Sequence, residues 1–253
     1  MKDKKDRKEK GKHSLLKIIL AVVLVIVAVT GISFGIYVSD YYKPDETAMA
    51  ILENQGDVSI LQDDKGNDTV LPQKPGDTGI IFYPGGKVDE RAYLPLLKKY
   101  AENGITCILV KMPFHLAVFD INGADGIQAE YPSIKKWYLA GHSLGGAMAA
   151  VYIAKHVSEY QGLILLGAYS TKDLSDTDLR VVMIDGDQDQ IIHQKQVEKN
   201  KDHYPQDTYT FMISGGNHCQ FGSYGQQKGD GTATISAEQQ WQETVDDTLS
   251  VIS

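Results

Sequence analysis

Twenty-one consecutive residues, Ile18 to Val38, carry no charge and are mostly Ile, Val, Leu and Ala. Rising about 1.5 Å per residue as a helix, such a run spans roughly 30 Å, the hydrocarbon thickness of a bilayer. Eight cations stand ahead of it (Lys2, Lys4, Lys5, Arg7, Lys8, Lys10, Lys12 and Lys17), which argues against a buried core helix. The positive-inside rule then keeps the N-terminus in the cytoplasm and sends everything after Val38 across the membrane. Tyr37, Tyr41 and Tyr42 fall where an interfacial aromatic belt would lie. A cleaved signal peptide is the competing reading. Its apolar region is roughly 7–15 residues and ends in a small-residue cleavage site, for which Ser33-Phe34-Gly35 is a poor match. The expectation is a retained single-pass anchor in the cell membrane, with the lipid bilayer as partner through residues 18–38.

Charge divides the chain in the same place. Residues 1–43 hold nine Lys or Arg against four Asp or Glu, and the remainder holds sixteen against twenty-nine. An acidic body without a basic stripe excludes nucleic acid as an expected partner. Cys107 and Cys219 are too few for a disulfide framework and neither is near the apolar run, so free thiols are expected and a lipoprotein anchor is not.

After a short linker, residues 39–46, the runs 57–61 and 69–71 flank the turn cluster Asp63–Asp68 and predict a β-hairpin. Beyond it the spacing alternates. Strands are predicted at 79–83, 105–110, 136–140, 162–166, 180–184 and 208–213. Helices are predicted at 91–103, 145–156, 194–201 and 237–251. Apolar strands alternating with helices imply an α/β domain over residues 47–253, its mostly parallel sheet covered on both faces. Only thirteen residues, Gly167–Leu179, separate the strands ending at Leu166 and starting at Arg180, which leaves no lid domain.

Gly141-His142-Ser143-Leu144-Gly145 is a G-x-S-x-G that follows one predicted strand and opens a predicted helix. That setting is what a strained nucleophile-bearing turn requires, since side chains at the flanking glycines would strike neighbouring backbone. This segment resembles the nucleophile elbow of the α/β-hydrolases. Three more segments resemble that superfamily in chain order: Gly79–Gly86 its first strand and oxyanion loop, Ile184–Asp189 its acid-bearing turn, and Gly215-Gly216-Asn217-His218 its histidine loop. The match is best with a compact, dienelactone-hydrolase-like bacterial branch that is often membrane-anchored.

The resemblance implies Ser143 as nucleophile, His218 as general base and an aspartate to orient the imidazole. Of Asp185, Asp187 and Asp189, the family pattern selects Asp189, three residues after Gly186, with Asp187 as the alternative and Asp185 structural. The backbone N–H groups of Leu144 and Gly86 are the expected oxyanion donors, although Pro84 stands where many relatives carry His. His142, His115, Gln220 and Tyr224 are expected at the pocket. The Gly-rich stretch from Phe221 to Gly231 reads as either a surface loop or a pocket wall. His156, His193 and His203 read as solvated. No two histidines have metal-ligand spacing, so neither metal nor cofactor is expected. The expected activity is hydrolysis of a small or medium carboxylic ester, lactone or thioester through an acyl-serine. Acyl transfer on the same fold, or a catalytically silent anchored binding module, are the alternatives.

Overall fold

The computed structural model describes residues 2–252, with side chains from Lys17 onward, so the side chains of the earlier basic residues lie outside the description. It divides into two units, Met1–Asp40 and Tyr41–Ser253. The first is one helix, α1 (Lys2–Ser39). Its part from Lys17 to Ser39 is long and apolar enough to cross a membrane. Leu20, Val25, Val29, Ile32 and Ile36 are all exposed. A helix that is apolar all round has no polar face to turn to water.

The second unit is built on an eight-stranded sheet. Its strands are β1 (Val58–Gln62), β2 (Asp68–Pro72), β3 (Thr78–Tyr83), β4 (Thr106–Leu109), β5 (Lys136–His142), β6 (Gly162–Leu166), β7 (Arg180–Gly186) and β8 (Thr208–Ile213), in the spatial order β1-β2-β4-β3-β5-β6-β7-β8. The expected hairpin is present, with Ile60 opposite Val70 in an antiparallel pair. From β4 across to β8 every pairing is parallel. β3 lies between β4 and β5, so the chain reverses its direction of winding there. In open α/β sheets this is where ligands bind, beyond the C-terminal ends of the strands.

Both faces of the sheet are covered, which explains why its strands are apolar without alternation. Ile80, Phe82, Leu109, Ala140, Leu166 and Ile184 face one core, shared with α3 (Leu94–Glu102) and α7 (Ala237–Ile252). Ile81, Tyr83, Ile108, Leu139, Leu165 and Met183 face the other. Ala149, Ala150 and Ile153 of α5 (Leu144–Ile153) pack there. Both cysteines are free and buried.

Two short helices escape the periodicity: α2 (Glu46–Glu53), capped by Asp45 whose side chain accepts from the Ala48 N–H, and the single turn α4 (Ile127–Glu130). The helix α6 (Gln194–Lys199) is shorter than expected. The segment read as a linker is hydrogen-bonded into this unit. The Tyr42 N–H donates to Lys87 O at 2.7 Å, and the Asp89 N–H donates back to Tyr42 O at 2.9 Å. Asp45 exchanges two bonds with Ser223, N–H to O at 2.9 Å and Oγ to Oδ1 at 2.7 Å.

Candidate active site

Ser143 sits between β5 and α5 with φ 52° and ψ −122°, a strained conformation for a side-chain-bearing residue. Its N–H donates to Leu166 O at 2.9 Å, and its carbonyl accepts the Ala147 N–H at 3.0 Å. The turn closes only because its neighbours are glycines. A Cβ on Gly141 would lie 2.6 Å from the carbonyl carbon of Gly145, and one on Gly145 would strike the carbonyl oxygens of Tyr83 and Pro84. No real side chain tolerates such contacts.

Asp189 and His218 come from the loops after β7 and β8. His218 Nδ1 lies 2.6 Å from Asp189 Oδ2, and the two side chains are 1% and 0% exposed. The other carboxylate oxygen, Oδ1, accepts from the N–H groups of Ile191 and Ile192 at 2.7 and 2.9 Å. With Oδ1 held by two backbone N–H groups, the carboxylate is fixed toward Nδ1, which makes Nε2 the atom free to exchange a proton. Nε2 is buried and has no hydrogen-bond partner among the described residues. Gly167, at φ +50°, passes so close that a Cβ there would sit 2.9 Å from His218 Nδ1.

The other two aspartates are occupied elsewhere. Asp187 accepts from the Gly215 N–H at 2.7 Å and from Ser214 Oγ at 3.2 Å, so it shapes the turn ahead of His218. These bonds hold its carboxyl below the usual range. Asp185 is buried at the end of β7 with Oδ1 unpartnered. Burial, and secondarily the charge of Asp189, push its pKa up to about 7.

Ser143, Leu144 and His218 line one cleft of about 290 Å³, together with Ala147, Gly167, Ala168, Tyr169, Thr171, Ile191, Ile192 and His193. Leu144 is the first residue of α5, so its N–H is one of the donors a helix start leaves unpaired. The N–H of Gly86 has no acceptor among the described residues, and a Cβ on Gly86 would lie 2.8 Å from Leu144 Cδ2. The residues that carry the two expected oxyanion donors therefore lie next to each other, just past the ends of β3 and β5.

The four expected pocket residues do not line this cleft. His142 is buried directly behind it, its ring 4.4 Å from that of His218. His115 belongs to a separate group with Glu90. Gln220 accepts the Trp241 indole N–H on its carbonyl at 2.7 Å. Tyr224 packs into the core with Tyr42. The Gly-rich stretch is neither surface loop nor pocket wall at its start, because Phe221 to Tyr224 are buried. Besides Ser143, Leu144, Ala147 and His218, the residues that line the cleft lie in the loops at 167–171 and 191–193. His193, read as a solvated bystander, is exposed at the cleft's edge.

One further residue supports the site from α7. Gln240 is fully buried; its Oε1 accepts the Asn217 N–H at 3.0 Å and its Nε2 donates to Asn217 O at 2.7 Å. It grips the backbone one residue before His218. The expectation of a helix at 237–251 gives no sign of this polar contact on its buried face.

Residues 79–242, more than half of the chain, match the family profile described as "Alpha/beta hydrolase family". No curated protein matches the chain. Among solved structures, the chain is similar to Est1E from Butyrivibrio proteoclasticus at TM-score 0.55 and 15% identity, covering 78% of this chain and 99% of that one. It is similar to a dienelactone hydrolase from Anabaena variabilis at TM-score 0.54 and 16% identity, covering 78% and 100%. An alpha-beta serine hydrolase homologue from Coxiella burnetii aligns at TM-score 0.52 and 15% identity, covering 75% and 96%. With its parallel sheet, its strained serine turn and this match, the chain belongs to the alpha/beta hydrolase family and has a dienelactone-hydrolase-like fold.

Proposed function

We propose that the chain is a membrane-tethered serine hydrolase that cleaves a carboxylic ester, lactone or thioester through an acyl-serine intermediate. The observation that carries this reading is the buried pair of Asp189 Oδ2 and His218 Nδ1 at 2.6 Å, with His218 facing the same cleft as Ser143. Ser143 Oγ attacks the substrate carbonyl carbon while its proton passes to His218 Nε2. The oxygen that gains charge is held by the N–H groups of Leu144 and Gly86, each such donor worth about 10²–10³ in rate. The intermediate collapses as His218 returns the proton to the departing alkoxide or thiolate. Water then attacks the acyl carbon as His218 takes its proton, and the acid departs as His218 returns that proton to Ser143 Oγ. The gap at His218 Nε2 agrees with apo sites, whose catalytic hydrogen bonds tighten only with substrate in place.

The cleft wall supports a small, uncharged acyl group, since Leu144, Ala147, Ala168, Ile191 and Ile192 contribute half of its side chains and none of its side chains is a carboxylate, Lys or Arg. Est1E has been solved with ferulic acid bound, so feruloyl esters belong in a first screen beside short aliphatic esters and lactones. A fluorophosphonate probe should label the wild-type chain. Ser143→Ala should abolish that labelling and lower turnover by at least about 10³-fold while the fold persists. Labelling that survives the substitution removes Ser143 from the mechanism, and product transfer to added alcohol in preference to water makes the chain an acyltransferase.

The tether consists of the basic residues up to 17 and the span within Lys17–Ser39, and the domain from Tyr41 onward lies outside the cytoplasm. The apolar, all-round exposed helix and the cations ahead of it support this arrangement. Protease added to intact spheroplasts should degrade the hydrolase domain. A protected domain reverses the orientation, and a soluble form starting near Ile36 makes the helix a cleaved signal.

A further inference from the structure

The loops after β3 and β4 bring together three side chains that the cleft does not use. Asp89, Glu90 and His115 each direct one ligand-type atom to a common point, all three atoms within 4.8 Å of one another. Glu90 is 5% exposed. Its Oε2 faces His115 Nδ1 at 3.5 Å, and neither atom has a hydrogen-bond partner among the described residues. An unsatisfied carboxylate oxygen is costly to bury. The nearby Arg91 is no remedy, because its guanidinium is committed to Asp68 at 2.9 Å.

His115 reaches this point at a conformational cost. Phe114 and His115 both have positive φ, 57° and 55°, which is unfavourable for side-chain-bearing residues. The Tyr41 ring, stacked at 4.0 Å on the imidazole, and a hydrogen bond from the Lys87 N–H to His115 O at 2.7 Å hold it there.

We propose that Asp89, Glu90 and His115 form a binding site for one divalent transition cation of the Zn²⁺ class, separate from the Ser143 cleft. Tetrahedral Zn²⁺ with bonds of about 2.0–2.2 Å keeps its ligand atoms roughly 3.4 Å apart. The Glu90–His115 separation of 3.5 Å is already close to that edge, and the ligand atom of Asp89, which is partly exposed, lies within 4.8 Å of both. One imidazole nitrogen and two carboxylate oxygens favour Zn²⁺ over the hard cations Ca²⁺ and Mg²⁺, which prefer all-oxygen shells. The three ligands leave a fourth position for water. An ion here ties the loop after β3 to the loop after β4 on the segment that also carries Gly86, so its role is to hold that segment rather than to touch substrate.

The test uses the untagged full chain in detergent, stripped with a chelator and then titrated with Zn²⁺, with bound metal measured after gel filtration. The expected result is one Zn²⁺ per chain and a higher thermal midpoint, as binding to the folded state requires. Glu90→Gln, nearly the same shape, should weaken binding at least tenfold, and His115→Ala should do the same. Ca²⁺ and Mg²⁺ should not raise the midpoint. A wild-type chain that takes up no Zn²⁺ at sub-millimolar concentration overturns the proposal. So does Zn²⁺ uptake that Glu90→Gln leaves unchanged, since the ion then sits elsewhere. If His115→Ala does not fold, Glu90→Gln alone decides. None of these measurements depends on hydrolysis, so they stand apart from the activity of Ser143.

Discussion

The imidazole of His142 lies behind that of His218, ring centroids 4.4 Å apart and planes inclined by 48°. Its Nδ1 meets Tyr93 Oη at 2.8 Å, and the same hydroxyl accepts the Gly85 N–H at 3.0 Å. Held by Gly85 on one side, the hydroxyl pairs with His142 Nδ1 on the other and keeps the imidazole in place. Burial first, and then the charge of His218, hold the His142 pKa well below its usual value. The ring behind the proposed base therefore stays neutral and adds no positive charge when His218 takes up a proton. Tyr93→Phe strands the Gly85 N–H and His142 Nδ1 in a dry interior. It should cost about 1–3 kcal/mol of stability, and steady-state kinetics should show a fall in kcat larger than any rise in KM.

Asp189 and Asp187 offer a paired test of which carboxylate orients the base. Asp189→Asn should lower kcat by about 10⁴, because the amide no longer enforces the Nδ1–H tautomer. Asp187→Asn should leave kcat within about tenfold, since that side chain serves the turn at Gly215. Comparable losses in both variants count against Asp189.

Gln240 has no contact with the cleft, yet it carries both polar groups of the Asn217 backbone. Gln240→Leu leaves that N–H and C=O buried and unpaired, at about 1–3 kcal/mol each. The measured outcome should be a lower thermal midpoint together with reduced turnover, while Gln240→Glu keeps the acceptor and recovers part of both.

Asp185 makes stability depend on pH. In the folded chain its pKa is pushed up to about 7, whereas an unfolded chain gives about 3.9. Below both values the group is protonated in either state and costs nothing. As pH rises between them the unfolded chain releases its proton first, so folding is progressively penalised, by on the order of 4 kcal/mol once pH exceeds the folded value. Asp185→Asn should erase this slope: unfolding at pH 5 and pH 8 should differ less in the variant than in the wild type. An identical pH dependence in both chains refutes the assignment.

Truncation separates the apolar helix from the segment that follows it. Removing residues 1–39 should leave a folded, soluble domain. Removing residues 1–46 also deletes Tyr42 and Asp45, with their bonds to Lys87, Asp89 and Ser223. At a net 0.5–1.5 kcal/mol or so per hydrogen bond, the shorter chain should melt clearly lower, which differential scanning calorimetry would resolve.

The elements that bury both faces were legible in the residues, because Gly79–Tyr83 or Gly162–Leu166 can satisfy so apolar a run only inside a covered sheet. The turns that carry Ser143, Asp189 and His218, the proposed triad, were legible for a different reason: their glycines announce constrained loops. Their expected neighbours were not. His115 and Gln220 are near the right loops in sequence, but which way a loop side chain points depends on the strand order, and no periodicity encodes that β3 lies between β4 and β5. The same crossing brings Glu90 to His115, a pairing that the spacing of histidines cannot show. Helix α2 was missed because eight residues hold too few turns for a pattern, and the Asp45 cap before it went unread.

The strand-like bridge between Tyr42 and Val88 has a mechanical consequence. Past Tyr41 the polypeptide pairs two residues away from Gly86, so tension on the N-terminal segment would be borne close to one of the two proposed oxyanion donors. Two backbone hydrogen bonds, in line with Lys87 and Asp89, bear that force. A domain hung from this point would feel drag or crowding as a change in the spacing of Gly86 from Leu144, and its turnover would then report the load on its own attachment.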